Sequence, residues 1–422
     1  MRNRDEKPPA TKQEGVVATG ALSGVRVLDL SRVLAGPSCT QLLGDLGAEI
    51  IKIERPGVGD ETRTWGPPYL RGVEGQETAE SAYYLSCNRN KRSVTVDMSK
   101  PAGVALIKRL AAVSDVLVEN FKVGGLDKLG LGYEAISKEF PKLIYCSITG
   151  YGQTGPYASK PGYDMMAQGQ GGLISMTGEP DRPPVKVPVA VNDVMSGLNA
   201  AVGILAALHN RAKTGEGQHI DIALLDVQVG WLFNQGLNYL VGGEIPRRLG
   251  TAHPNSVPYQ VFPTKDGWII IAANNDDQWR RFCACANRAE LIDDPRFKTN
   301  PDRVKNRDEV IAIVEDILRT RTTAQWNECL DAAGVPVGPV NTLAEVFQDL
   351  HVLHRGMKIS IEHRLAGKGS VDLIGNPIKL SKTAVQYTHA PPTLGEHTRE
   401  VLEEVLGLSA SECDALSRDR VI

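Results

Sequence analysis

The chain has 422 residues, 42% hydrophobic and 23% charged, with a formal net charge of −3. That length supports two domains with cores of their own, the composition is ordinary for a globular protein, and the near-balanced charge leaves no basic footprint for nucleic acid. Seven scattered cysteines, an odd count without a CxxC pair, predict free thiols and no zinc site, and no uninterrupted apolar run reaches the roughly 18 residues of a membrane span.

Residues 1–20 mix both charges with two prolines and have no periodicity, so a disordered tail is expected there. They lack the apolar centre of a secretory signal, and Asp5, Glu6 and Glu14 are out of place in a mitochondrial presequence. The expected location is the cytoplasm, with the mitochondrial matrix as the alternative in a eukaryote.

Val25–Leu30 reads as a short apolar strand, residues 36–46 as an amphipathic helix stopped by Gly47, and Glu49–Ile53 as a second strand. This opens a parallel α/β sheet. A Gly/Pro-rich loop over 56–75 precedes a strand at 93–97, a helix from Pro101 to Ala112, and strands at 115–119 and 142–148. The alternation predicts a doubly wound, Rossmann-like parallel sheet. Val194–Lys213 is a strongly apolar helix, 218–223 a strand and 224–240 another helix. Two strands joined by Lys265-Asp266-Gly267 and helices over 278–319 change the character of the chain. Residues 21–219 are therefore assigned to a large domain, 220–330 to an inserted smaller α+β domain, and 331–422 to a linker and the completion of the large domain.

Gly150-Tyr-Gly152-Gln-Thr-Gly155 satisfies a dinucleotide-binding pattern, which would make an NAD-dependent oxidoreductase. That site needs a helix to begin inside the motif, so that its N–H groups meet a pyrophosphate. Pro156 and a loop follow instead, and a tight glycine turn is the better reading. Asp193 stands at the mouth of the apolar helix. Aspartate there is a favoured N-cap, and a carboxylate held ionised by the helix dipole also suits a nucleophile. Asp164, between glycines in the run Lys160–Gly172, is the rival carboxylate.

The segments VLDLSRVLAGP, LGDLGAEIIKIERPG and NRNKRS resemble the class III coenzyme A transferases, and the resemblance runs from about Leu22 to the C-terminus. It implies a two-domain protomer threaded through its partner in an interlocked homodimer, with an acyl-CoA and a small carboxylic acid as substrates. It also implies a CoA thioester as co-substrate, no tightly bound cofactor and no metal. Asp193 matches the family's nucleophilic aspartate, in the same Asp-x-x-x-Gly setting before the long helix. The matching CoA-binding positions are Arg55, the run Val96, Asp97, Met98 and Ser99, the pair Asn120 and Phe121, and Lys128. Arg89, Lys91 and Arg92 form a basic cluster suited to phosphate.

Two departures narrow the reaction. Formyl-CoA transferase, a member of the family, has Gln where this chain has Leu34, so a polar contact near the thioester is lost. Related racemases on the same fold carry His where Tyr163 stands, and a phenol with a pKa near about 10 is a poor proton shuttle. The segment from Gly250 to Trp268, with DETRTWGPPY and YYLSCNRNK, resembles the succinyl-CoA-dependent dicarboxylate transferases. That resemblance implies CoA transfer from succinyl-CoA to a glutarate-like dicarboxylate through an aspartyl anhydride and an aspartyl-CoA thioester. Arg89 and Arg303 are the candidate cations for the distal carboxylate, and His253 is either a turn cap or a substrate contact.

Overall fold

The computed structural model describes residues 20–422, so the tail expected over 1–20 lies outside the described residues except for Gly20. The chain divides into two compact units. The larger takes in the residues up to Ala167, Ala190–Gln228 and Gly356–Ile422; the smaller comprises Gln168–Val189 and Val229–Arg355.

These boundaries differ from the expected 220–330. His219–Ala223 stays with the larger unit because it pairs, parallel, with Ile144–Thr149. Residues 168–189 join the smaller unit because Gly250 donates to the Gly178 carbonyl at 3.0 Å and Arg248 to that of Glu179 at 3.1 Å.

The larger unit is a mixed α/β structure with a parallel central sheet of six strands. Their spatial order is Lys91–Thr95, Glu49–Glu54, Arg26–Asp29, Val116–Glu119, Ile144–Thr149, His219–Ala223. Successive side chains enter opposite cores. Val27 and Ile50 pack with Leu43 of helix Ala35–Asp45 and Ile204 of helix Val191–Thr214; Leu28 and Ile51 pack with Ile107 and Leu110 of helix Pro101–Ala112. Two antiparallel hairpins that the sequence reading missed, Tyr69–Arg71 with Glu77–Ser81 and Lys358–Glu362 with Ser370–Ile374, also belong to this unit.

Helix Val191–Thr214 starts three residues earlier than expected, which puts Asp193 inside its first turn. By length and composition it is the one helix among the described residues able to cross a membrane. Its small side chains Ala200, Ala201 and Ala207 are nonetheless buried in the core, while Val194, Leu198 and Val202 are 41%, 41% and 58% exposed. The single helix expected over 224–240 is two, Leu224–Gly230 and Phe233–Gly242.

In the smaller unit an antiparallel sheet of Val337–Pro339, Trp268–Ala272 and Tyr259–Pro263 covers a core containing Trp279, Phe282 and Trp326. Cys285 and Cys329 are joined as a disulfide, against the expectation of free thiols throughout. They sit on helices Asp276–Cys285 and Thr323–Ala332, which pack together. The other five cysteines are free and buried.

Candidate active site

Helix Val191–Thr214 can bring its first turn close to helix Ala35–Asp45 because residue 197 is glycine. A Cβ there would lie 2.6 Å from the Ala35 carbonyl oxygen and 2.1 Å from Ser38 Oγ. The Asp-x-x-x-Gly spacing thus has a steric cause: the glycine lets the helices touch, and the aspartate one turn earlier faces the loop that opens the other helix.

Asp193 is not the cap of its helix. The N-cap residue is Ala190, which supplies no side-chain acceptor. Asp164 does the capping from another element: its Oδ1 accepts from the backbone N–H of Asn192 at 2.8 Å and of Asp193 at 3.4 Å. Burial, and then the neighbouring Asp164 carboxylate, push the Asp193 carboxyl up to about 7. Desolvation and like charge therefore outweigh the dipole expected to keep it ionised.

Asp193 lines a cavity of about 270 Å³ together with Val33, Leu34, Ala35, Asn120 and Tyr163. Tyr163, at the position where racemases carry His, is 64% exposed. Val33 has φ +69°, a rare conformation for a β-branched residue.

A second cavity of about 430 Å³ shares Arg32, Glu61 and Phe121 with the first as wall residues. Arg55, Val96, Asp97, Met98 and Ser99 all line it, so six of the eight expected CoA-binding residues, counting Phe121, gather on one cavity. Lys128 does not, although Leu129 beside it does. Asn120 lines the first cavity and also braces the loop beside it: its Oδ1 accepts from Arg32 N at 2.8 Å and its Nδ2 donates to Arg32 O at 2.6 Å. The Arg32 guanidinium lies over the Phe121 ring, 4.7 Å from its centroid.

The proposed substrate cations are corrected. Arg89 is buried, pairs with both carboxylate oxygens of Asp45 and donates to the Ile374 carbonyl. Arg303 is fully buried and donates to Asp276 and to the carbonyls of Val257 and Phe297. Lys91 is held by Asp29 at 3.2 Å, and Arg92 by Glu49, Glu400 and Glu404, so this basic cluster is an internal ion-pair system and no phosphate site. His253 caps a turn, its Nδ1 accepting from Asn255 N at 3.1 Å, and stacks on Tyr259. The glycine motif Gly150–Gly155 is followed by turns, and no helix begins before Asp164.

Sequence reasoning missed Lys52 and Asp60. Both are buried in a 3.0 Å ion pair that walls the second cavity. The signal was present in Glu49-Ile-Ile-Lys52-Ile-Glu54: a strand in the middle of a covered sheet must bury its charges, and buried charges are paired.

A parallel α/β sheet whose strand ends frame a half-buried carboxylate beside a second, larger cavity suits an enzyme that transfers acyl groups. The pattern of CoA-transferase family III matches residues 22–398, and the chain belongs to that family. It is a CoA-transferase. It is 48% identical to succinyl-CoA:glutarate CoA-transferase of Mus musculus over 385 residues, covering 91% of this chain and 86% of that one. It is 47% identical to succinate–glutarate CoA-transferase of Agrobacterium fabrum over 390 residues, covering 91% and 95%. Among solved structures, a CAIB/BAIF family protein from Brucella suis superposes with a TM-score of 0.82 at 46% identity, covering 92% of this chain and all of that one.

Proposed function

We propose that the protein moves CoA from succinyl-CoA to glutarate or a similar dicarboxylate, with Asp193 as nucleophile. The observation that carries this reading is the placement of Asp193 in a cavity that shares walls with the one lined by Arg55 and Val96–Ser99. A thioester delivered from the second cavity reaches the carboxylate in the first. The printed activities of the mouse and Agrobacterium relatives support the choice of donor and acceptor. Tyr163 in place of His weighs against racemisation at the α-carbon.

The chemistry balances without water, metal or nucleotide triphosphate. An Asp193 oxygen attacks the thioester carbonyl of succinyl-CoA and expels the CoA thiolate, leaving a succinyl–aspartyl anhydride. The thiolate attacks the aspartyl carbonyl and expels succinate, leaving an aspartyl-CoA thioester. Glutarate attacks that carbonyl through a carboxylate oxygen and expels the thiolate again. The thiolate then attacks the glutaryl carbonyl, which frees Asp193 and forms glutaryl-CoA. Each intermediate keeps the acyl group activated as long as water stays out. Only the ionised carboxylate can start the cycle.

The working form is a homodimer, as the resemblance implies. The exposed apolar row Val194, Leu198 and Val202 on the nucleophile helix supports it, since a large uncovered apolar face is costly in water.

Incubation with succinyl-CoA and a panel of dicarboxylates, reading new thioesters by mass, tests the activity. Glutaryl-CoA is the expected product. Hydroxylamine added after succinyl-CoA alone is expected to mark the peptide containing Asn192-Asp193; a mark on the Tyr163-Asp164 peptide would move the nucleophile there.

A further inference from the structure

Residues 31–33 run between the two cavities, with Arg32 in the wall of both. Every backbone polar group of this tripeptide is held by a side chain from elsewhere. Ser31 N donates to Asp29 Oδ1 at 2.9 Å, and Ser31 O accepts from Lys52 Nζ at 3.0 Å. Arg32 N and O are both taken by the Asn120 amide. Val33 N donates to both oxygens of Asp60, at 3.2 and 3.3 Å, and Val33 O accepts from Cys87 Sγ at 3.7 Å. A strand ladder or helix would satisfy such groups by itself; here the sheet has ended and the helix has not begun.

Two of these holders are one unit. Lys52 and Asp60 have fully buried side chains 3.0 Å apart. They grip the tripeptide on both sides of Arg32, at Ser31 O and Val33 N. Asp60 is itself fixed: its N–H donates to Glu54 Oε2 at 2.9 Å, and its Oδ1 accepts from Thr62 N at 3.0 Å. The residue so held is Val33, at φ +69°. A β-branched residue keeps that conformation only where its surroundings over-determine it. If Val33 relaxed to negative φ, the next peptide would rotate, and the wall of Val33, Leu34 and Ala35 opposite Asp193 would move with it.

We propose that Lys52 and Asp60 are positioning residues for CoA transfer, clamping Val33 so that the start of helix Ala35–Asp45 faces Asp193. This inference rests on Asp193 being the nucleophile. Both side chains are fully buried behind the wall of the second cavity and offer a ligand there no exposed surface, so the pair acts through the loop and its loss reads out in turnover and not in the affinity for CoA.

The test uses full-length Asp60→Ala and Asp60→Asn, with kcat for CoA exchange and the Kd for free CoA measured on each. Asp60→Ala, which leaves Val33 N without an acceptor, is expected to lose about a hundredfold in kcat, the scale set by an ångström of misplacement. Its Kd for CoA is expected to stay within about threefold. Asp60→Asn keeps an acceptor for Val33 N and is expected to recover kcat to within about tenfold of wild type. If Asp60→Ala fails to fold because Lys52 is left buried and unpaired, Asp60→Ala with Lys52→Met removes that charge and is read in the same way. A folded variant without the acceptor but with wild-type kcat overturns the proposal. So does an intact kcat with CoA affinity lost, which would assign the pair to the second cavity. Wild-type enzyme that makes neither a new thioester nor an Asp193 adduct would instead sink the reading of the nucleophile.

Discussion

Asp164 caps the helix that carries Asp193, reaching across 28 residues of sequence to accept the Asn192 N–H at 2.8 Å. The two carboxylates therefore divide two tasks that the sequence offers to either. Asp164 stabilises the helix N-terminus, where negative charge is favoured, and its charge lifts the proton affinity of Asp193. Asp193 is thus spared from capping, and its carboxyl is tuned by the residue that caps the helix in its place.

Activity should follow the ionisation of Asp193. With its carboxyl pushed up to about 7 by burial and Asp164, the fraction able to attack falls about tenfold per pH unit below that value and levels off above it. A profile of kcat/KM against pH should rise with unit slope from pH 5 and flatten near pH 7. A flat profile across this range would show that the free enzyme holds Asp193 ionised throughout.

The same shift makes Asp193→Asn a stabilising change whose size depends on pH. The fold raises this carboxyl from 3.8 to about 7, so the folded state binds its proton more tightly than the unfolded chain. Below about pH 4 both states are protonated and nothing is lost; between pH 4 and 7 stability falls as pH rises, and above 7 the full cost is present. The amide carries no charge to desolvate. Its Tm should match wild type at pH 4 and exceed it at pH 8, with CoA exchange abolished at both. Taking the difference between variant and wild type removes the contributions of Glu80 and Glu119, which burial also pushes up to about 7.

What the sequence offers of the candidate site comes through the resemblance: Asp193 in its Asp-x-x-x-Gly setting and Val96–Ser99 at a strand end match the transferase pattern, whose parts are local in the chain. What failed was the reading of charge. Arg89 and Arg303 look like free cations in sequence, yet each is spent on a distant partner, Asp45 and Asp276. Pairing of that kind, like the capping by Asp164, is set by tertiary approach across tens of residues and leaves no periodic trace. The strand His219–Ala223 was placed in the wrong domain for a related reason: its parallel neighbour Ile144–Thr149 is more than seventy residues earlier in the chain.

The internal role of Arg89 separates it from substrate binding by experiment. Arg89→Lys keeps the positive charge but cannot reproduce the two-pronged contact with Asp45 or also reach the Ile374 carbonyl. We expect a loss of stability on the order of 1–3 kcal/mol, seen as a lower urea midpoint, because a buried pair is left imperfectly bonded. KM for glutarate in the folded variant should stay at the wild-type value. A large rise in KM with unchanged stability would return Arg89 to the substrate site.

Gly197 offers the most direct test of how Asp193 is placed. Its Cα faces the Ala35 carbonyl so closely that any side chain must push the two helices apart, because a backbone oxygen cannot rotate away as Ser38 Oγ can. Gly197→Ala should cost about 1–3 kcal/mol of stability, the usual penalty for overfilling a packed contact. It should also lower kcat, since Asp193 rides on the displaced turn while Leu34 and Ala35 stay with the other helix. Gly203, two turns further along, is the control: a Cβ there would meet only the Ile220 side chain, at 3.1 Å, and that group can yield. Gly203→Ala should lose less stability, or gain some through its better helix propensity, and it should leave the hydroxylamine-trapped Asp193 adduct forming at the wild-type rate. If both variants slow adduct formation equally, the close approach at Gly197 has no special bearing on Asp193.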